Sequence, residues 1–382
     1  MRITNWQIEA QQETVEVSAD IDGFRLWYRV PPAYAVSRTA DPFLAAALLP
    51  AMARGEPLEI DPALTVSPQF LTRLGQLQEI HHSWNPVLQK IAISARTAPA
   101  EAVNAGAFTF FSGGVDSTYT FLTRAAELSH VVFIHGFDFY LDPALYQVAV
   151  ERNSAFVRRF DKTLIPVQTN HHLFGYRYNL SLLLSQGSIL GSVALLLGFP
   201  RVYVSSSYSY DQLAPLGSHP LTDPLWSSEA VEVTHVGAGT RRLDKLRAIA
   251  ACAPALANLV VCATDINTNC GACEKCLRTM IPLRLLGVPG PFPPFPPLGV
   301  IRRRRIMNHN EKIFFAENVA LAQQSQDHAL RKALLACLRR YELRRLVKEF
   351  DRVFLGRFIQ NTYRRRGRAR LGPARINTAA DD

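Results

Sequence analysis

The chain of 382 residues lacks an uninterrupted apolar run long enough to cross a bilayer. Its most apolar stretch, residues 180–199, is broken by Ser181, Ser185, Gln186, Gly187, Ser188, Gly191 and Ser192, so a buried helix is the better reading. The opening MRITNWQIEA has no basic segment leading into an apolar one, so no signal peptide is expected. Cysteine is scarce: six residues in a chain of this length do not make a disulfide scaffold. Three of them fall within seven residues, which points to metal in a reducing compartment. A cytoplasmic protein without membrane attachment is the expectation. Charged residues make up only 19%, against 48% hydrophobic and 10% aromatic, which excludes a disordered or fibrous chain and leaves a globular one of two or three domains.

The first 300 residues have no large net excess of either charge. Of 42 Lys and Arg, 20 lie beyond residue 300, where only 8 of the 32 Asp and Glu are found. The net charge of +10 therefore belongs to the C-terminal fifth, and the rest is near neutral. A phosphate-bearing or acidic partner would meet that end.

Residues 1–103 read as a small N-terminal α+β region. Residues 14–18 (TVEVS) and 24–30 (FRLWYRV) alternate like strands, with Asp22-Gly23 supplying hairpin chemistry. Residues 43–54 and 69–95 have helical character. The region carries no catalytic pattern and reads as a structural cap or a homodimer arm. From Ala107 strands alternate with helices: strands at 107–111, 131–137, 163–169, 201–207 and 229–237, with helices at 118–128, 144–160, 180–197 and 241–251. Such alternation implies an α/β domain, residues 104–287, with a parallel sheet and helices on both faces. Residues 288–300 (VPGPFPPFPPLGV) read as a stiff Pro-rich linker. Residues 301–363 read as a basic helical region and 364–382 as a disordered basic tail.

The sharpest motif is Ser112-Gly113-Gly114-Val115-Asp116-Ser117, directly after a strand and opening a helix. The two glycines allow a tight turn and close backbone approach to a ligand. Amides at the helix start then face an anion, aided by the helix dipole. Ser112 and Ser117 add hydroxyl donors. Asp116 cannot attract phosphate itself; a carboxylate among phosphates implies bound Mg²⁺. The second motif is Cys262-x7-Cys270-x2-Cys273-x2-Cys276. Soft thiolates at two-residue gaps suit tetrahedral Zn²⁺, and four of them close its shell, so the zinc would be structural. An iron–sulfur cluster is the competing reading. Gly271 relieves the turn between ligands, and Lys275 and Arg278 offset thiolate charge. Cys252 and Cys337 fall outside the spacing and read as core thiols.

SGGVDS resembles the PP-loop of the N-type ATP pyrophosphatases, the group that includes asparagine, GMP and NAD synthetases and 7-cyano-7-deazaguanine synthase. It is not a Walker A loop, having no Gly-Lys-Ser/Thr. The cysteine spacing is similar to the zinc site of the 7-cyano-7-deazaguanine synthases. Together the two motifs span roughly residues 107–287. The resemblance implies a Rossmann-like, adenine nucleotide alpha hydrolase-like fold. It further implies ATP bound by Phe111, Ser112, Gly113, Gly114, Val115, Asp116 and Ser117, with Asp116, Ser112 and Ser117 in catalytic roles. A substrate carboxylate or carbonyl oxygen would attack the α-phosphorus, releasing pyrophosphate, and ammonia would displace AMP to give an amide or nitrile. The chain departs from the deazaguanine synthases in its length, its N-terminal region and its basic helices. The nearest stretch to their Arg-Asn segment, Arg177-Tyr178-Asn179, is offset.

Weaker candidates lie in the irregular segment 205–229, where Asp211, His219 and Asp223 are expected to orient a substrate or relay a proton. Trp226 reads as core more readily than as a base-stacking residue, and His171-His172 as a surface pair. Lys162 and Arg177 are candidates for neutralising pyrophosphate. Arg302-Arg303-Arg304-Arg305 and Arg364-Arg365-Arg366 offer a nucleic acid or an acidic partner phosphate-type contacts, or form a solvated basic face. No glutaminase signature is visible: Arg2 follows Met1, and no nucleophile elbow occurs. Ammonia would therefore be free or delivered by another chain. The alternatives are an RNA-modifying enzyme that inserts sulfur or nitrogen, as in tRNA thiolation, and a non-catalytic nucleotide-binding subunit of a larger, defence-type assembly.

Overall fold

The computed structural model describes residues 1–137, 143–307 and 309–354. Arg364-Arg365-Arg366 lie outside the described residues. The described chain divides into two compact units, 1–245 and 246–354.

The first unit runs β1 (Arg2–Ala10), β2 (Val15–Ile21), β3 (Phe24–Val30), α1 (Asp41–Arg54), β4 (Leu58–Ile60), β5 (Thr65–Val66), α2 (Pro68–Trp84), β6 (Ile93–Ser94), β7 (Arg96–Thr97) and β8 (Ala107–Phe110). It continues with α3 (Val115–Arg124), β9 (His130–His135), α4 (Pro143–Arg158), β10 (Thr163–Thr169), α5 (His171–Arg177), α6 (Leu182–Leu197), β11 (Arg201–Ser205) and β12 (Glu232–Val236). The helix α7 (Arg242–Ala250) contains the unit boundary.

Among the described residues ten strands form one sheet, in the order β12-β11-β8-β9-β10-β3-β2-β1-β4-β6. The first five are mutually parallel. From β8 the chain steps outward to β9 and β10, then returns to the other flank of β8 for β11 and β12. The direction of winding thus reverses between β8 and β11, the switch point beyond whose strand C-terminal ends open α/β sheets form their ligand crevice.

Residues 1–103 are not a separate body. The strand β3 pairs antiparallel with β10, Tyr28 opposite Thr169 and Arg29 opposite Gln168. The Asn170 carboxamide accepts from the Trp27 amide at 2.9 Å and donates to the Arg25 carbonyl at 2.8 Å. The hairpin joining β2 and β3 turns on Asp22 (φ +48°) and Gly23 (φ +72°), the left-handed pair that an Asp-Gly hairpin requires. The helix expected over 69–95 ends at Trp84. Pro86 excludes Asn85 from helical backbone, and Asn85 is extended at φ −145°, ψ 100°.

All four residues of β8 are buried, as in a strand covered on both faces. Phe108 and Phe110 join the large core shared by α1 and α6, with Phe108 packed edge-on to Phe199. Just past the strand, Phe111 meets Phe121 of α3 and Phe156 of α4 at 5.6 and 5.5 Å. The helix α6 is the buried apolar stretch expected from the sequence. Its Gly191 lies so close to the Trp226 indole that a Cβ there would stand 2.7 Å from the ring, and Trp226 is core. His171 and His172, expected on the surface, are both buried at the start of α5. Burial pushes the His171 imidazole down to about 3, so it is neutral.

The second unit contains α8 (Ala253–Ala257), α9 (Glu274–Leu285), α10 (Leu298–Arg303), α11 (His309–Gln324) and α12 (His328–Phe354). Its core is Leu277, Ile281, Ile301, Ile306, Phe315, Leu330, Leu334 and Cys337. The Pro-rich stretch 288–300 lies inside this unit rather than between bodies. It is held by the Arg284 guanidinium, 4.3 Å from the Phe295 ring, and by the Asn269 amide on the Pro291 carbonyl. No helix of the described residues is long and apolar enough to cross a membrane.

Candidate functional site

The loop 111–114 leaves β8 at the mouth of the crevice. The Phe111 amide is still tied to the sheet through the Val132 carbonyl at 2.8 Å. Gly113 then turns the chain at φ +79°, a conformation that costs an L side chain about 1–2 kcal/mol. Gly114 opens α3 without a side-chain cap, the kind of helix start whose first-turn amides suit an anion. The Ser112 and Ser117 hydroxyls are 3.2 Å apart, and the Gly114 amide donates to Ser112 Oγ at 3.3 Å. Phe111 and Val115 are buried, so they contribute backbone and packing rather than side-chain contacts.

Asp116 does not stand open to a cation from solution. Its carboxylate accepts from Lys245 Nζ at 3.0 Å and from Arg242 Nη1 at 3.3 Å. Lys245 also donates to the Ser206 carbonyl, directly after β11, at 2.5 Å, and lies 5.8 Å from the Tyr119 ring. Lys245 is 2% exposed, a buried ammonium that spans the two strand ends flanking the crevice. Arg242 and Lys245 are one turn apart at the start of α7, within RRLDK. Sequence reasoning placed the helix but missed the pair. The signal available was two cations at i, i+3 on a first turn, where cations oppose the dipole unless an anion faces them.

The three substrate candidates separate. The exposed Asp211 accepts from Ser209 Oγ at 2.7 Å and is ion-paired with Arg241, beside Arg242. It belongs to the same end of the sheet as the loop. His219 and Asp223 are buried and engaged elsewhere. Asp223 accepts from Ser218 Oγ at 2.8 Å and the His219 amide at 3.2 Å, and pairs with His235 Nδ1 of β12 at 2.6 Å. His219 accepts the Leu221 amide on Nδ1 and packs edge-on against Trp84. His235 completes this polar cluster, which pins segment 217–223 against β12. Lys162 precedes β10 and so lies at the N-terminal end of the parallel strands, opposite the crevice. Arg177 donates to the Asp22 carbonyl at 3.2 Å, beside the antiparallel strands. Neither reaches the loop, because strand direction sends them to the wrong end or the wrong half of the sheet.

In the second unit the sulfurs of Cys262, Cys270, Cys273 and Cys276 all lie within 4.8 Å of one another. Cys270–Cys276 and Cys262–Cys273 are 4.0 and 3.9 Å apart. Four thiolates at about 2.3 Å from one ion would stand about 3.8 Å apart, so the set fits a single tetrahedral metal. Backbone amides point at the sulfurs: Cys273 to Cys270, Cys276 to Cys273 and Thr264 to Cys262, at 3.3 to 3.4 Å. Burial opposes thiolates here, yet bonds from Thr264 draw Cys262 down to about 6, whereas burial holds Cys276 up. Cys273 caps α9, so the metal loop and a core helix share a residue. Arg278, expected to offset thiolate charge, instead pairs with Glu274 and covers the Phe314 ring. Asn269, which sequence reasoning missed, accepts the Val261 amide at 2.8 Å and donates to the Leu259 and Pro291 carbonyls at 2.8 and 2.9 Å.

Comparison with protein-family models, curated proteins and solved structures finds no match to this chain.

Proposed function

We propose that the first unit is a Rossmann-like ATP pyrophosphatase of the PP-loop kind, binding ATP at residues 111–117. In this reading it cleaves ATP between the α- and β-phosphates to adenylate a carboxylate or carbonyl substrate, and ammonia then displaces AMP. The observation that carries this reading is the placement of the Ser112–Ser117 loop at the point where the sheet reverses its winding. There uncapped helix amides and two buried cations, Lys245 and Arg242, converge. Amides and fixed cations stabilise the charge of a departing pyrophosphate without covalent help. Asp116 acts as the positioning residue that holds both cations. Mg²⁺, when carried in on the nucleotide, would supply further charge neutralisation on the phosphates. Asp211 and Ser209 offer polar contacts on the acceptor side, while His219 and Asp223 serve the fold.

The cysteine set is proposed to hold structural Zn²⁺. Sulfurs within 4.8 Å of one another favour one ion over a multi-iron cluster, which spreads its thiolates further apart. Four protein ligands leave no open position for chemistry.

The test is product analysis with labelled ATP and candidate carboxylates. Pyrophosphate and AMP are expected, lost in Asp116→Ala. Release of the γ-phosphate instead refutes the proposed bond cleavage. The engagement of Asp116 by two cations also favours a second reading, a subunit that binds ATP without turnover. Stoichiometric binding with no pyrophosphate release would select it.

A further inference from the structure

The second unit gathers arginines that are distant in sequence. The helix α10 ends in Arg302 and Arg303 and is followed by Arg304 and Arg305. The Cys337 thiol of α12 donates to the Ile301 carbonyl at 2.7 Å, which locks this end of α10 onto the first half of α12. Arg339, Arg340 and Arg344 follow within two turns of Cys337. Arg344 donates to the Ile306 carbonyl at 2.9 Å, on the far side of the arginine run. The contact brings Arg305, Arg340 and Arg344 together closely enough that, after burial, the charges of Arg305 and Arg340 lower the basicity of Arg344.

Acidic groups compensate this cluster only in part. Glu311 accepts the Met307 amide at 3.0 Å and feels the charge of Arg304, whereas Glu342 is paired with Lys312 and Arg345, and Asp327 with Arg284. Among the described residues Arg302, Arg303, Arg305, Arg339, Arg340 and Arg344 form no salt bridge with a carboxylate. Arg302, Arg303, Arg305, Arg339 and Arg340 are exposed. Like charges assembled without partners repel each other, and a polyanion relieves that repulsion while releasing its own counterions. Guanidinium forks match phosphodiester oxygens in pairs.

We propose that the α10–α12 arginine cluster is a docking surface for the phosphodiester backbone of a nucleic acid, independent of the nucleotide site in the first unit. The exposed ridge of Leu343, Leu346, Val347, Phe350 and Val353 further along α12 does not redirect the proposal to an anionic membrane. On the ridge's flank away from Arg340 and Arg344 stands Glu349, which a lipid surface seated on the ridge would have to meet. The contacts go to the backbone, so affinity is expected to be weakly dependent on base sequence.

The test uses the full chain and fluorescence anisotropy with three probes: a labelled tRNA, a random-sequence 30-base-pair DNA duplex, and vesicles of 30% phosphatidylserine. Binding to either nucleic acid is expected to fall on the order of 10²- to 10³-fold between 50 and 200 mM salt, as about five phosphate contacts require. The tRNA and duplex arms distinguish the two sources of the same backbone. Arg305→Gln with Arg340→Gln should lower the salt slope by about two, while Arg2→Gln with Arg96→Gln, exposed in the first unit, should leave it unchanged. Circular dichroism of each variant checks that the helices persist. Failure to bind either nucleic acid at 50 mM salt overturns the proposal. So does binding that the cluster variants leave intact, or binding confined to the vesicles and lost in Phe350→Asp.

Discussion

The Asp116–Lys245 pair can be weighed before any substrate is known. At 3.0 Å two unit charges attract by about 5–6 kcal/mol at an effective dielectric constant of 20. Desolvating Lys245, 2% exposed, offsets much of this, so the pair as a whole contributes little net stability. Breaking it is another matter. Asp116→Asn leaves a buried ammonium with the Ser206 carbonyl and the Arg242 guanidinium for company. Losing one partner of a buried pair costs about 3–5 kcal/mol, and the partial exposure of Asp116 moves the expectation to about 2–3 kcal/mol. Lys245→Met removes the charge that needed a partner. The double variant should therefore be more stable than the sum of the single losses by about 1–2 kcal/mol. Urea unfolding followed by tryptophan fluorescence reads this unit alone, because Trp6, Trp27, Trp84 and Trp226 all lie in it. Additivity to within about 0.5 kcal/mol would show that the two charges do not depend on each other, and the reading of Asp116 as the holder of Lys245 would fall.

Three further outcomes follow from the same geometry. Gly113→Ala, at φ +79°, should lose about 1 kcal/mol of stability and weaken nucleotide binding; an unchanged midpoint in nucleotide titrations would place the ligand away from this turn. Asn269→Ala removes three hydrogen bonds behind the cysteine loop, two of them buried, and should weaken metal binding on the order of 10- to 100-fold, read by competition with a chromogenic chelator. Burial pushes the Asp41 carboxyl, which accepts the Ser67 amide near Glu229, up to about 7. Its acid form is favoured in the fold, so its contribution to stability is full below about pH 4 and declines by about 1.4 kcal/mol per pH unit as pH rises towards 7. Comparing Asp41→Asn with the parent by urea unfolding at pH 5 and pH 8 should show the variant gaining relative stability at the higher pH; parallel curves would contradict the burial argument.

Local chemistry was legible where one short segment carried all of it. The Ser112-Gly113-Gly114 turn, the cysteine spacing and the Asp22-Gly23 hairpin each depend on backbone freedom or ligand type within a few residues. The apolar stretch 180–199 likewise declared a buried helix, because apart from Gln186 only small polar side chains that pack interrupt it. Histidines 171 and 172 misled. Their polarity says surface, whereas the start of α5 faces the core and holds His171 neutral.

What the residues determine alone is the menu of elements and the local form of two loops, the Ser112–Ser117 turn and the cysteine loop. Which partners those loops receive is settled only by the tertiary structure. The antiparallel joining of β3 to β10 merges residues 1–103 with the sheet, a pairing across some 140 residues that no periodicity announces. The winding order places β8 beside β11, and that adjacency lets Lys245 span Asp116 and the Ser206 carbonyl. The docking of Cys337 on Ile301 joins the Arg302–Arg305 run, evident in the sequence, to Arg339, Arg340 and Arg344, which were not, in one surface. Each is a long-range contact, chosen by the burial of whole faces rather than by local propensity, and so it has no signature in the segment that makes it.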